Sequence, residues 1–188
     1  MGHPGSAGAA NETPFSAVVN SCRSCNSKCC RGLAVVLTIP EAIRLKENLA
    51  LKPEEYLELT DLVDSRKTPH FPLLAGEGGR LREYFIIIKK KNGNNDCFFL
   101  NQAGTCGSYS CRPSVCKLYP FELTDSKRQK KGALCPIKFI REPQTDREAE
   151  LLEEDLKRHG IMARRWNIEL GKISPIGKML DYFKANPI

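Results

Sequence analysis

The sequence predicts a small α+β domain, cysteine-rich, with a short β-hairpin, several helices and irregular loops around its cysteines. Three observations carry that expectation. Nine cysteines are spread through 188 residues in two groups, with Cys135 standing apart. A run rich in Ile and Phe, Leu81–Lys91, ends at Asn92-Gly93-Asn94-Asn95 and is followed by the apolar Cys97–Leu100, the order of strand, turn and strand. Residues 145–170 then hold the longest helical pattern, with Leu151, Leu152, Leu156 and Ile161 on one face.

Taken in order, residues 1–20 are a Gly/Ala/Ser/Pro-bearing leader with little periodicity, expected to be a flexible tail. Met1-Gly2 with Ser6 fits the N-myristoylation pattern, a short match that a loose leader produces by chance. Pro40 is expected as the first helical residue of a segment through Ala50, with Ile43, Leu45 and Leu49 apolar. Pro53-Glu54-Glu55 reads as a second helix start, followed by Tyr56, Leu57 and Leu59. Residues 64–80, with Pro69, Pro72 and Gly76-Glu77-Gly78-Gly79, read as a loop. From Gly104 to Pro120 the density of Cys, Gly, Pro and Ser predicts irregular backbone. Thr145 with Glu148 three residues on suggests a capping box for the long helix, which Gly160 is expected to divide. A last helix is expected over 175–185. The resulting organisation is a leader at 1–20, a cysteine domain at 21–140, and a helical segment at 141–188 packed on the same domain.

A chain of this length buries a real core and does not need cross-links merely to fold. It shows neither the basic, apolar and small-residue order of a secretory signal nor a run of about 18 apolar residues for a membrane span. The expected location is therefore cytoplasmic, where disulfides are reduced and clustered cysteines bind metal. Lys and Arg number 29 against 22 Asp and Glu, a formal charge of +7. Basic runs lie at Lys89-Lys90-Lys91, at Lys127-Arg128 with Lys130-Lys131, and at Arg164-Arg165. Two four-thiolate sites, each near −2, would lower that charge to roughly +3. These lysines read as solvated loops, so the expectation is no nucleic acid and no membrane, with room for a protein partner.

The first cysteine group is Cys22-x2-Cys25-x3-Cys29-Cys30. A C-x-x-C loop lets two thiolates converge while backbone N–H groups point at the sulfurs. Side chains of adjacent residues diverge, so Cys29 and Cys30 either serve different centres or only one of them ligates. The second group is Cys97, Cys106, Cys111 and Cys116. Nine thiols suit two four-coordinate sites and one spare. The order C-x2-C-x3-C reverses the cluster loop of radical-SAM enzymes, and the ferredoxin run C-x2-C-x2-C-x3-C-P is echoed only by Cys135-Pro136. In Cys111-Arg112-Pro113-Ser-Val-Cys116-Lys-Leu-Tyr119-Pro120-Phe121, Arg112 is placed to neutralise an anionic cluster or to hydrogen-bond a thiolate.

The pattern C-x8-C-x2-Y-x2-R-P-x2-C-x2-Y-P-F, preceded by C-x2-C and a CC pair, resembles the YkgJ-type cysteine-cluster family. The resemblance spans about residues 22–136. That family is described as a zinc- or iron-chelating domain and includes relatives of the flagellin lysine-methylating enzymes. The resemblance implies the ligands Cys22, Cys25, Cys29, Cys30, Cys97, Cys106, Cys116 and Cys135, with Tyr109, Arg112, Pro113 and Pro120 as supporting motif. Two departures stand out. Asn26-Ser27-Lys28 puts three residues before the CC pair where the family has two, and Cys111 occupies a position that needs no cysteine. Cys111 is therefore the spare thiol.

Three functions follow. The first is an iron–sulfur protein, holding a 4Fe-4S cluster, with an electron-transfer or redox role. The second is a structural zinc module for protein interaction, since thiolates suit both metals. The third is a methyltransferase-like enzyme. Against it, Gly76-Glu77-Gly78-Gly79 has no preceding strand and is a poor S-adenosylmethionine loop. His3, His70 and His159 are isolated. Eight ligands in a compact chain favour clusters over a single four-coordinate zinc, while enzymatic activity stays undecided.

Overall fold

The computed structural model of the chain describes residues 13–14, 26–62, 72–77, 80–91, 94–121, 133–135, 139–140, 142–169 and 175–187. Its spine is β5 (Arg80–Ile88), the Ile/Phe run anticipated as a strand. The N-terminal half of β5 pairs antiparallel with β4 (Leu73–Glu77), in a register that sets Leu73 opposite Tyr84 and Glu77 opposite Arg80. The C-terminal half is flanked by β2 (Val36–Leu37) and β3 (Leu57–Thr60), both antiparallel. Alternation along β5 aims Tyr84, Ile86 and Ile88 into the main core, and Phe85 and Ile87 are buried as well.

The hairpin is thus real but displaced. Part of the segment expected as a loop over 64–80 is β4, while 63–71 and 78–79 lie outside the described residues. Cys97–Leu100, expected as the second strand, is a turn tied by single bridges, Lys90 to Cys97 and Leu100 to Cys106. Pro53 does start a helix, α3 (Pro53–Tyr56), but it lasts one turn, and Leu57 and Leu59 continue as β3. Pairing against β5 outweighs the local helical signal there. Within the leader, β1 (Thr13–Pro14) pairs in parallel with β6 (Phe139–Ile140), so those two residues are not a free tail.

The helices lie near where they were expected, but of the four apolar residues placed on the face of the long one only Leu152 is buried, while Leu151 and Ile161 are exposed and Leu156 is half-buried. After the short α1 (Lys28–Gly32) comes α2 (Ile39–Asn48), one residue earlier than Pro40 suggested. Its N-cap is Thr38, whose hydroxyl accepts the Glu41 N–H at 3.2 Å while the Glu41 carboxylate accepts the Thr38 N–H at 2.9 Å. This reciprocal capping box satisfies two of the orphan donors of the first turn. The loop of 104–120 contains a 3-10 turn (Tyr109–Cys111) and α4 (Ser114–Leu118). The long helix, α5 (Pro143–Glu169), is unbroken at Gly160 and begins two residues before Thr145. Glu148 does not complete the expected cap; it pairs with Lys117 of α4 at 2.6 Å. The last helix is α6 (Ile176–Ala185), as expected.

One core joins these parts. Ile39, Ala42 and Leu45 of α2, Met162, Ala163 and Trp166 of α5, and Met179, Leu180 and Phe183 of α6 pack against Leu57, Ile86 and Ile88 of the sheet. A fully buried side chain of this kind contributes about 1.5–3 kcal/mol. Cys97, Phe99 and Leu100 belong to the same cluster, and Tyr56, Phe98 and Phe99 meet as tilted or edge-on rings. The apolar core therefore forms the floor on which the cysteine loops rest. Among the described residues no helix is long and apolar enough to cross a membrane.

Candidate metal centre

Three stretches build the site: α1 with Cys29 and Cys30, the turn at Cys97 with Cys106, and α4 with Cys116. One backbone bond ties the first two together and another closes the second on itself. The Cys97 N–H donates to the Cys30 carbonyl at 2.8 Å, and Gly107 N–H donates to the Phe99 carbonyl at 2.7 Å. The Asn101 side chain organises the turn between them, accepting the Thr105 N–H at 3.0 Å. Gly104 closes that turn at φ +72°, a conformation costly for a side-chain-bearing residue. Ser27, itself left-handed at φ 51° and 1% exposed, donates its hydroxyl to the Gly104 carbonyl. The three-residue spacer before the CC pair is thereby pinned to the second cysteine group.

Cys116 is the hub. Burial pushes its thiol pKa well up, and the charges of Cys97, Cys106 and Cys29 push it further. The Cys30 pKa is raised by its hydrogen bond with Cys29 and by burial, with Cys116 and Cys97 adding repulsion. Cys29 is the counterpart, lowered to about 7 because Cys30 hydrogen-bonds it, with Arg112 assisting. Burial also raises Cys97, as does Cys106; the Phe99 N–H bond to its sulfur and the charges of Lys90 and Lys91 act the other way. Five thiols thus share one electrostatic neighbourhood, and without a counter-charge they repel one another once ionised. Cys106 and Ser108 lie 3.5 Å apart, Sγ to Oγ.

Cys135 reaches the same region along another path. The adjacent Leu134 passes so close to Gly32 that a Cβ there would sit 2.9 Å from a leucine methyl. Leu134 N–H donates to the Tyr119 hydroxyl, whose own pKa is raised by burial and by the charges of Cys29 and Cys135. Tyr119-Pro120 is a cis peptide. Cys22 and Cys25 lie outside the described residues. Among the described residues no three Cys, His, Asp or Glu side chains converge tightly enough to hold a single ion. Cys111 turns elsewhere: its Sγ donates to the Ser108 carbonyl at 3.6 Å, and its charge adds to the burial that pushes the Tyr56 hydroxyl up to about 12.

Arg112 carries the cationic part. Its guanidinium stacks 3.9 Å from the Tyr109 ring centroid, a cation–π contact that leaves its N–H edge available. Its Nε is buried with no hydrogen-bond partner, and its charge acts on both Cys29 and Cys116. A buried, unpartnered donor beside thiols is costly unless an anion meets it. Pro113 is the N-cap position of α4, in extended backbone, so Arg112-Pro113 leads the chain into the helix that carries Cys116. In donor chemistry this set suits a thiolate-bound iron or zinc centre: soft sulfur donors, an N–H aimed at one of them, and a guanidinium whose Nε lacks a hydrogen-bond partner beside them.

Several contributors had weaker signals. Lys89, Lys90 and Lys91, read as solvated, each donate Nζ to a backbone carbonyl, of Glu54, Leu33 and Leu100 respectively. The first two are half-buried. Glu41 also touches the site through Ser114, and its only sequence trace is the Thr38-x2-Glu41 spacing. Lys127-Arg128 and Lys130-Lys131 lie outside the described residues.

A family model, "CxxCxxCC: Putative zinc- or iron-chelating domain", matches residues 21–136. No curated protein and no solved structure matches the chain.

Proposed function

The chain belongs to this family of zinc- or iron-chelating domains, and from that premise we propose that it is an iron–sulfur protein with an electron-transfer or redox role. The observation that carries the reading is the number of thiols gathered around Cys116. One zinc ion and one 4Fe-4S cluster each take four thiolates, and Cys29, Cys30, Cys97, Cys106 and Cys116 already interact as a group of five, more than a lone structural zinc site uses and in keeping with a pair of centres. Cys135 stands beside them through Tyr119. In this reading Cys22, Cys25, Cys29, Cys30, Cys97, Cys106, Cys116 and Cys135 would hold the metal as thiolates, and Cys111 stays free. A 4Fe-4S group, when bound, supplies one-electron chemistry at a potential set by charge, hydrogen bonds to sulfur and exposure.

The protein residues have distinct parts in that scheme. Arg112, with Lys90 and Lys91 nearby, offsets the negative charge of the thiolates. The Phe99 N–H stabilises the Cys97 thiolate against its low-dielectric surroundings. Tyr109 holds the guanidinium plane, Tyr119 interacts electrostatically with both Cys29 and Cys135, and the buried Phe99 and Leu100 restrict water beneath the loop.

Purification without oxygen, followed by a visible spectrum and assays of iron, sulfide and zinc, tests the proposal. The expected result is a brown protein with iron and acid-labile sulfide in similar amounts. A colourless protein with stoichiometric zinc and no sulfide would sink the redox reading and leave a structural zinc module.

A further inference from the structure

We propose that Glu41 is a positioning residue for the thiolate centre, capping from a distance the helix that carries Cys116. The inference rests on the reading of these cysteines as metal ligands. Its basis is an accounting of donors. Helix α4 has five residues, and its N-cap, Pro113, offers no side-chain oxygen. The Cys116 and Lys117 N–H groups turn back to the Pro113 carbonyl at 2.9 and 3.0 Å. The Ser114 N–H instead donates to Glu41 Oε1 at 2.8 Å, across 73 positions of sequence. Both ends of this bond are buried, Glu41 at 1% and Ser114 at 2% exposure.

The other oxygen is equally committed. Glu41 Oε2 accepts from the Thr38 N–H and from the Thr38 hydroxyl, each at 2.9 Å. One carboxylate therefore serves two helix N-termini, closing its own helix with one oxygen and fixing α4 with the other. Two residues beyond Ser114 lies the hub thiol, and two before it lies Arg112, whose Nε has no hydrogen-bond partner. The neighbouring Arg44 bonds Asp155 of α5, with Nη1 to Oδ1 at 2.9 Å, so the element bearing Glu41 is itself anchored. Removing the Ser114 bond leaves a buried N–H without a partner and frees the start of α4 to shift. Outer-shell residues that orient a ligand typically alter metal affinity 10–100-fold when lost.

The test measures how fast metal-loaded protein gives up its iron, or its zinc if that is the native metal, to a chelator in excess. Glu41→Ala is expected to release it about 10-fold faster than wild type. Ser114→Pro deletes the same N–H from the other side at a position where proline suits a helix, and is expected to speed release comparably. It also keeps the inference testable if Glu41→Ala does not fold. Glu41→Gln keeps one acceptor oxygen, which can meet the Ser114 N–H while its NH2 faces the Thr38 hydroxyl, so it should lower the melting temperature yet release metal more slowly than Glu41→Ala. Thr38→Val removes a bond to the same carboxylate but leaves the Ser114 bond, so it should lower the melting temperature without speeding release. Wild-type release in both Glu41→Ala and Ser114→Pro overturns the inference, as does release in all four variants that merely tracks their loss of melting temperature. A wild-type protein that holds neither metal defeats the metal-site reading itself, and this inference falls with it.

Discussion

The sheet-and-helix half and the cysteine half of this protein are held together by different means. Around β5, α5 and α6, side chains such as Met179, Leu180 and Phe183 are almost wholly buried among apolar neighbours. Around α1, the Cys97 turn and α4, regular structure is short and the chain is pinned by individual bonds: Cys97 to Cys30, Ser27 to Gly104, Ser114 to Glu41. This region gathers thiols of which Cys97 is buried and the other described ones half-buried, and their mutual influence pushes up the pKa of Cys30 and Cys116 while lowering that of Cys29. Apolar burial dominates the first region, with bonds such as Arg44 to Asp155 added to it, whereas the second gathers groups that repel once ionised. Such a region gains its cohesion when metal replaces the thiol protons, because ligand binding is then part of folding.

That contrast can be broken from either side. Phe183→Ala, in the apolar half, should cost about 3–5 kcal/mol. Its effect on the urea midpoint should be similar with and without metal. Cys116→Ser should do the opposite: metal content, measured on purified protein, should fall to half or less while the metal-free urea midpoint moves little. Arg112→Gln keeps a polar group but loses the charge and the guanidinium plane. A metal affinity weaker by about 10-fold is expected in competition with a chelator. Glu148→Gln, which loosens the link from α5 to Lys117 beside Cys116, should cost at most about 1 kcal/mol, since the lysine is a third exposed. Cys111→Ser should leave metal content unchanged. If Phe183→Ala and Cys116→Ser gave the same profile, the two halves would not be separable in this way.

The two halves were also unequally legible. The cysteines, Arg112-Pro113 and the Tyr-Pro-Phe run announce themselves because rare residue types recur at short spacing. Helices α2, α5 and α6 lie near their expected bounds, but the buried face of α5 runs through Leu152, Asp155, His159, Met162, Ala163 and Trp166, not through Leu151 and Ile161. By contrast, β4 is Leu-Leu-Ala-Gly-Glu, a stretch with little intrinsic strand preference that pairs because β5 offers it an edge. Leu57-Glu58-Leu59 looks helical locally, as a continuation of Pro53–Tyr56, and becomes a strand for the same reason. Glu148 had the spacing of a cap and was drawn instead to Lys117, a contact between segments far apart in sequence. The three lysines at 89–91 looked like solvated charge because composition does not reveal which carbonyls a fold leaves in need of a donor. Glu41 is the sharpest case: its capping-box spacing is readable, but its second oxygen serves a helix 73 residues away.

Hydrogen exchange followed by mass spectrometry, on metal-loaded protein and on the same protein after anaerobic chelation, tests the central claim most directly. Removal of metal is expected to speed exchange across residues 26–33 and 94–121, while β5, α5 and α6 keep their protection. Identical exchange of the 94–121 segment with and without metal, or a uniform loss of protection along the whole chain, would contradict it.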